Sequence, residues 1–135
     1  RRSGVKLLVG SATVPIGSYT RKVLDRLALG GVLANAVSQE SDARSILGKL
    51  GLGEADAGFV YASDAKAAAG KLRVIALPAR AQPQVRYAVA VLSSSRNRSG
   101  AIAFVDRLLG KAGQAKLRAA GFLAPKGLPT RYGDS

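Results

Sequence analysis

Tyr61 closes a short apolar burst, Gly58-Phe59-Val60-Tyr61, and is followed almost at once by Ser63 and Asp64. Strand-forming residues in such a burst predict a buried strand. Ser63 and Asp64 can cap a following helix, because both side chains accept from free backbone N–H groups. A tyrosine hydroxyl delivered beside a helix N-terminus lies where open α/β sheets bind ligands. Two more strand-to-helix junctions have the same polar make-up, Ser11 to Ser18 and Ser38 to Ala43. In a parallel sheet all three fall on one edge, where helix N-termini offer N–H donors and positive dipole ends. That chemistry suits a small oxyanion held by neutral donors. The ordinary alternatives are a tyrosine that merely closes a core strand and junctions that bind nothing, as in many α/β domains.

Other chemistries find little support. The chain has no histidine and no cysteine, which removes triads, thiol catalysis, disulfides and thiolate zinc sites. Glu54 and Asp56 pair only in sequence, in a turn ahead of a strand, with no metal-ligand partner at useful spacing. Gly48, Gly51 and Gly53 end a helix rather than open one, the wrong context for a dinucleotide loop. No cation site, cofactor or catalytic residue is expected, so the chain reads as a non-enzyme. The 21 Lys+Arg against 8 Asp+Glu give a net charge of +13, which favours anionic partners. One reading of that charge is a nucleic-acid-associated effector lobe of a transcription regulator. Against it, the charges are spread, few aromatics accompany them, and no helix concentrates base-reading residues.

The 135 residues suffice for one domain with an aliphatic core. A first strand over Val5 to Val9 stops at Gly10, and Ser18 would cap a helix running to about Gly30. A second strand is expected over Val32 to Val37, then a capping cluster from Ser38 to Asp42 and a helix over Ala43 to Leu50 with Ile46, Leu47 and Leu50 inward. After the strand ending in Tyr61 come a short helix over Ala65 to Ala69, a fourth strand over Leu72 to Leu77 and a fifth over Val85 to Leu92. A turn over Ser93 to Ser99 introduces a helix carrying Ile102, Phe104, Val105, Leu108 and Leu109, and a last helix spans Lys111 to Ala120. The alternation predicts an α/β fold, a mostly parallel sheet flanked by helices. The expected organisation is a lobe over 5–92, a helix pair over 93–123 and a mobile tail over 124–135. No apolar run reaches the length of a membrane helix. The start, Arg1-Arg2-Ser3-Gly4, reads as that of a processed product or a fragment.

Four motifs in order bring in a resemblance. They are Val14-Pro15-Ile16-Gly17 with Tyr19 and Lys22-Val23-Leu24, then Asp42-Ala43-Arg44 before Ile46-Leu47, then Gly53 to Ala65, and last Ala101 to Phe122 with its Gly-Phe-Leu ending. From Val5 to roughly Pro125 the chain resembles the periplasmic molybdate-binding proteins of ABC importers. The resemblance implies one lobe of a type II periplasmic-binding-protein fold, with no catalysis and with molybdate or tungstate as ligand. It places backbone N–H donors on Ile16 and Ala43 and a hydroxyl donor on Tyr61. In that family two serines from a preceding lobe complete the site, and the C-terminal helices pack on that lobe. The apolar face of the helix pair is therefore expected to be buried by the missing N-terminal lobe, by a second copy of this chain, or by folding back on its own sheet. The further implied partners are the importer's membrane subunits, and the implied location is periplasmic or extracytoplasmic.

Overall fold

Leu7, Leu8, Val9 and Gly10 are buried throughout and form β1 (Leu7–Gly10). A strand apolar on both faces belongs in the middle of a parallel sheet covered by helices. In the computed structural model, which describes residues 4–68 and 70–125, β1 is the central strand of a three-stranded sheet of order β2-β1-β3. Both neighbours run parallel to it. Leu8 lies opposite Ser38 and Gly10 opposite Glu40 of β2 (Ala36–Glu40), and Leu7 lies opposite Ala57 of β3 (Ala57–Gly58).

The helix after β1 starts earlier than Ser18. α1 spans Pro15–Arg26, with extended Val14 as its cap. Proline fixes φ near the helical value and has no N–H to lose, so it nucleates the first turn. Ser18 lies inside that turn, its N–H bonded to the Val14 carbonyl at 3.1 Å. Ile16, Gly17, Thr20, Val23 and Leu24 make the buried stripe, and the Thr20 hydroxyl donates to the Ile16 carbonyl at 2.8 Å.

The expected second strand also shifts. Residues Gly30–Asn35 form a 3-10 helix, and the strand begins only at Ala36 and runs to Glu40. Ladder pairing with β1 sets this boundary, and Asn35 anchors the entry by donating to the Val5 carbonyl at 3.1 Å. Ser38 to Glu40 thus belong to β2, and only Asp42 of the expected cluster caps. It accepts from the Ser45 N–H at 2.8 Å and starts α2 (Ala43–Gly51). Ile46 is fully buried, with Leu47 and Leu50 half-buried beside it.

β3 is short, and Phe59 and Val60 lead from it to Tyr61 outside the ladder. Tyr61, not Ser63 or Asp64, occupies the cap position of α3 (Ala62–Ala67), with no side-chain cap. Ser63 and Asp64 fall inside the first turn, where Asp64 still suits the positive helix end. Residues 72–77 and 85–92 are not strands: among the described residues they join no ladder. Strand propensity expresses a fit to a pleated, half-buried surface. These segments have none to lie on, and Val74, Ile75, Tyr87, Val89 and Leu92 are exposed. The loop between them is tethered at Ala79–Ala81, a 3-10 turn with Ala81 buried, and Arg26 donates to the Gln82 carbonyl at 2.6 Å.

The chain forms two compact units, one reaching to Val85 and the other beginning at Arg86. The second contains α4 (Arg98–Leu109), capped by Asn97, and α5 (Lys111–Ala119), joined through Gly110. Gln114 donates to the Leu108 carbonyl at 3.0 Å, and the Tyr87 ring meets Phe122 edge-on at 5.5 Å. Neither helix has a fully buried residue, and Phe104 is 63% exposed. Among the described residues no helix is long and apolar enough to cross a membrane. The expected tail lies outside the described residues from position 126 onward.

Candidate functional site

Three parallel strands deliver three junctions to one sheet edge, and two glycines bring the first of them in close. A Cβ on Gly10 would sit 2.5 Å from the Gly17 nitrogen, and one on Gly17 would run into the carbonyl oxygens of Ser11 and Gly10. Without either side chain, the end of β1 touches the first turn of α1. Arg21 then spans the contact, donating to the carbonyls of Gly10 at 3.2 Å and Gly17 at 3.1 Å.

Because Pro15 is the first helical residue and has no N–H, Ile16 is the first donor-bearing position of α1. Ala43 is the first residue of α2. Both belong to the group of N–H donors that a helix leaves without an internal partner. Among the described residues neither N–H has a hydrogen-bond acceptor. Both residues are buried, Ile16 at 6% and Ala43 at 7% exposure, and they pack with Leu8 and Ile46 in one cluster. Tyr61, half-buried, packs on that same cluster. Gly58 lets it get there: a Cβ at that position would lie 2.6 Å from Ile46 Cγ2, so β3 slides under α2 only as glycine. The positions expected from sequence, Ile16, Ala43 and Tyr61, thus come together from separate elements.

A polar network beneath the edge went unseen in the sequence. Glu40, 8% exposed at the end of β2, accepts from Lys49 at 2.7 Å and from the Ser38 hydroxyl at 2.6 Å. Its own carbonyl accepts from the Ser11 N–H at 2.8 Å, which ties the first junction to the second. The bonds from Lys49 and then Ser38 hold the Glu40 carboxyl below its usual range. Lys49 is held above its own range chiefly by the bond to Glu40. The ion pair cancels the charge of this carboxylate, which would otherwise repel an anion at the edge. Tyr19 was also missed as a neighbour of Tyr61. Its ring meets the Tyr61 ring edge-on, with centroids 6.4 Å apart and planes at 73°. The one available signal was its position on α1, three residues after Ile16.

Of the carboxylates singled out in sequence, Asp56 plays a structural part. Asp56 accepts from the Lys6 N–H at 2.7 Å at the entry to β1, and Glu54 is exposed. Among the described residues no cluster of acidic side chains could hold a metal ion.

Residues 1–123 match the family model described as bacterial extracellular solute-binding protein. The chain belongs to this family. Among solute-binding relatives it is 36% identical to the molybdate-binding protein ModA of Mycobacterium tuberculosis over 124 residues, covering 92% of this chain and 46% of that protein. It is 34% identical to the ModA of Escherichia coli over 109 residues, covering 80% of this chain and 42% of that one. A solved substrate-binding domain of a putative molybdenum ABC transporter from Clostridium difficile superposes with a TM-score of 0.72 at 30% identity, covering 93% of this chain and 56% of that one. The chain therefore spans just under half the length of the molybdate-binding relatives it matches. The parallel sheet flanked by helices is the architecture expected of a lobe of a solute-binding protein.

Proposed function

We propose that this chain supplies one lobe of a molybdate-binding protein that captures the anion outside the cytoplasm and presents it to the membrane subunits of an ABC importer. The observation that carries this reading is the meeting of Ile16, Ala43 and Tyr61 around one buried cluster at the C-terminal edge of a parallel sheet. The names of the relatives support the choice of molybdate. Molybdate is a tetrahedral dianion with four acceptor oxygens and no proton to donate. It accepts from the Ile16 N–H, the Ala43 N–H and the Tyr61 hydroxyl, with the positive ends of α1 and α2 adding to the attraction. Tungstate has the same charge and shape and uses the same donors. The chain binds and releases; it carries out no bond-making step.

Hydrogen bonds to a charged group contribute roughly 1.5–3 kcal/mol each, so three donors leave room for others from a facing lobe. The apolar side chains of 72–77, 85–92 and α4 suit burial by such a lobe or by a second copy of this chain. The +13 charge steers anions toward the molecule and needs no nucleic-acid partner.

Calorimetric titration with molybdate, tungstate, sulfate and phosphate tests the assignment. Molybdate and tungstate are expected to bind in preference to the other two. A preference for phosphate or sulfate overturns it.

A further inference from the structure

Tyr61 begins a helix only six residues long, and β3 ahead of it has two residues in the ladder. The direction of its phenol ring is set by what packs on it from other elements, the Leu8, Ile16, Ala43 and Ile46 cluster among them. A restraint from another element is present. The Tyr19 ring, on α1, meets the Tyr61 ring edge-to-face at 6.4 Å and 73°, within the favoured geometry for aromatic pairs. The exposed Lys22 ammonium sits 5.7 Å from the Tyr19 ring centroid. Tyr19 lies three residues after Ile16 on α1, so the two are neighbours along one side of the helix. The proposed N–H donor and the brace on the proposed hydroxyl donor thus belong to the same rigid helix.

We infer that Tyr19 is a positioning residue for the Tyr61 hydroxyl, acting through its ring edge and never touching the anion. This inference rests on the reading of Tyr61 as an anion donor. It predicts that the brace needs an aromatic ring and not a hydroxyl. Tyr19→Phe keeps the ring, whereas Tyr19→Leu keeps apolar bulk and removes the aromatic edge.

The test is molybdate titration of the full chain and its Tyr19→Phe and Tyr19→Leu variants, each also made with Tyr61→Phe, together with NMR order parameters of the Tyr61 ring in the unliganded proteins. Tyr19→Leu is expected to weaken molybdate binding by about 3- to 10-fold, the worth of an aromatic pair. Tyr19→Phe is expected to stay within about twofold of the parent, and in the Tyr61→Phe background Tyr19→Leu should have no further effect. The ring order of Tyr61 should fall in Tyr19→Leu and hold in Tyr19→Phe. An equal loss of affinity with and without the Tyr61 hydroxyl would reduce Tyr19 to a packing residue and overturn the proposal. If the parent and Tyr61→Phe bind molybdate alike, or neither binds, the donor reading of Tyr61 falls. Ring order then judges the brace alone: a drop in Tyr19→Leu upholds it, and no change overturns it.

Discussion

A backbone donor is hard to remove by mutation, and Ala43 offers a rare opening. It is the first residue of α2, and Asp42 before it is extended at φ −158° and ψ 170°. Proline is welcome at a first helical position, and an extended residue is what it requires ahead of it. Ala43→Pro should therefore keep the fold while deleting the N–H. The expected result is a loss of molybdate affinity of about tenfold to a hundredfold, from one lost charge-assisted bond, with the thermal midpoint little changed. Unaltered calorimetric affinity in a folded Ala43→Pro protein would remove Ala43 from the site. Tyr61→Phe should cost about as much by the same accounting. It has the advantage of leaving ring packing intact, so far-UV circular dichroism should not change.

At the scale of elements, β1 with α1 and α2 hold the edge in place. Ile46 is 0% exposed and packs with Leu8, Ile16 and Ala43. Ile46→Ala should destabilise by about 2–5 kcal/mol, read as a lower urea midpoint at unchanged slope. A change within error would mean the cluster is not the core. The Glu40–Lys49 pair joins β2 to α2, and its contribution depends on pH with a definite sign. The lowered Glu40 carboxyl stabilises fully above its unfolded value of about 4.3, and that support disappears as pH falls through the lower folded value. The raised Lys49 ammonium stabilises fully below about 10.4, and its support disappears as pH rises through the higher folded value. The gap in thermal midpoint between the parent and Glu40→Gln should be widest between about pH 5 and 10 and close toward both extremes. A gap that is the same at about pH 3 and about pH 7 would show that charge on Glu40 contributes nothing.

Over the whole molecule, the first unit carries its own buried core, and among the described residues of the second none is buried. Ile102 and Phe104 remain exposed on α4, and Tyr87, Leu92 and Val89 on the segment before it. Burying each such side chain contributes roughly 1.5–3 kcal/mol, a strong drive toward a partner surface. Light scattering with crosslinking should find the chain self-associated, or monomeric only when a facing lobe is supplied. A lasting monomer with Phe104 in water would refute this. The net charge of +13 is likewise a property of the whole surface. At low salt DNA should be retarded weakly at most, and a tight salt-dependent complex would revive the nucleic-acid reading.

Local signals in the sequence determined where α1, α2, α4 and α5 form and which residue types sit at the edge. The cap at Asp42, the apolar spacing of α1 and α2, and the apolar run expected as a strand over Val5 to Val9, which pairs from Leu7 to Gly10, all act within a few residues of themselves. The same locality made Tyr61 legible at its strand-to-helix junction, whereas Ile16 and Ala43 became candidates only through the family resemblance that their motifs carry. Tertiary structure decided the rest, because the partners lie far apart in the chain. Where β2 begins depends on its register with β1, and whether 72–77 or 85–92 becomes a strand depends on having a strand to pair with. Pro15 set the start of α1 locally, but how closely that first turn presses on the end of β1 was decided by Gly10 and Gly17. Glu40 found Lys49 across a turn, and Tyr19 found Tyr61 across the sheet edge. A hydrogen bond or a ring contact needs two groups in one place, and only the packed fold brings them there.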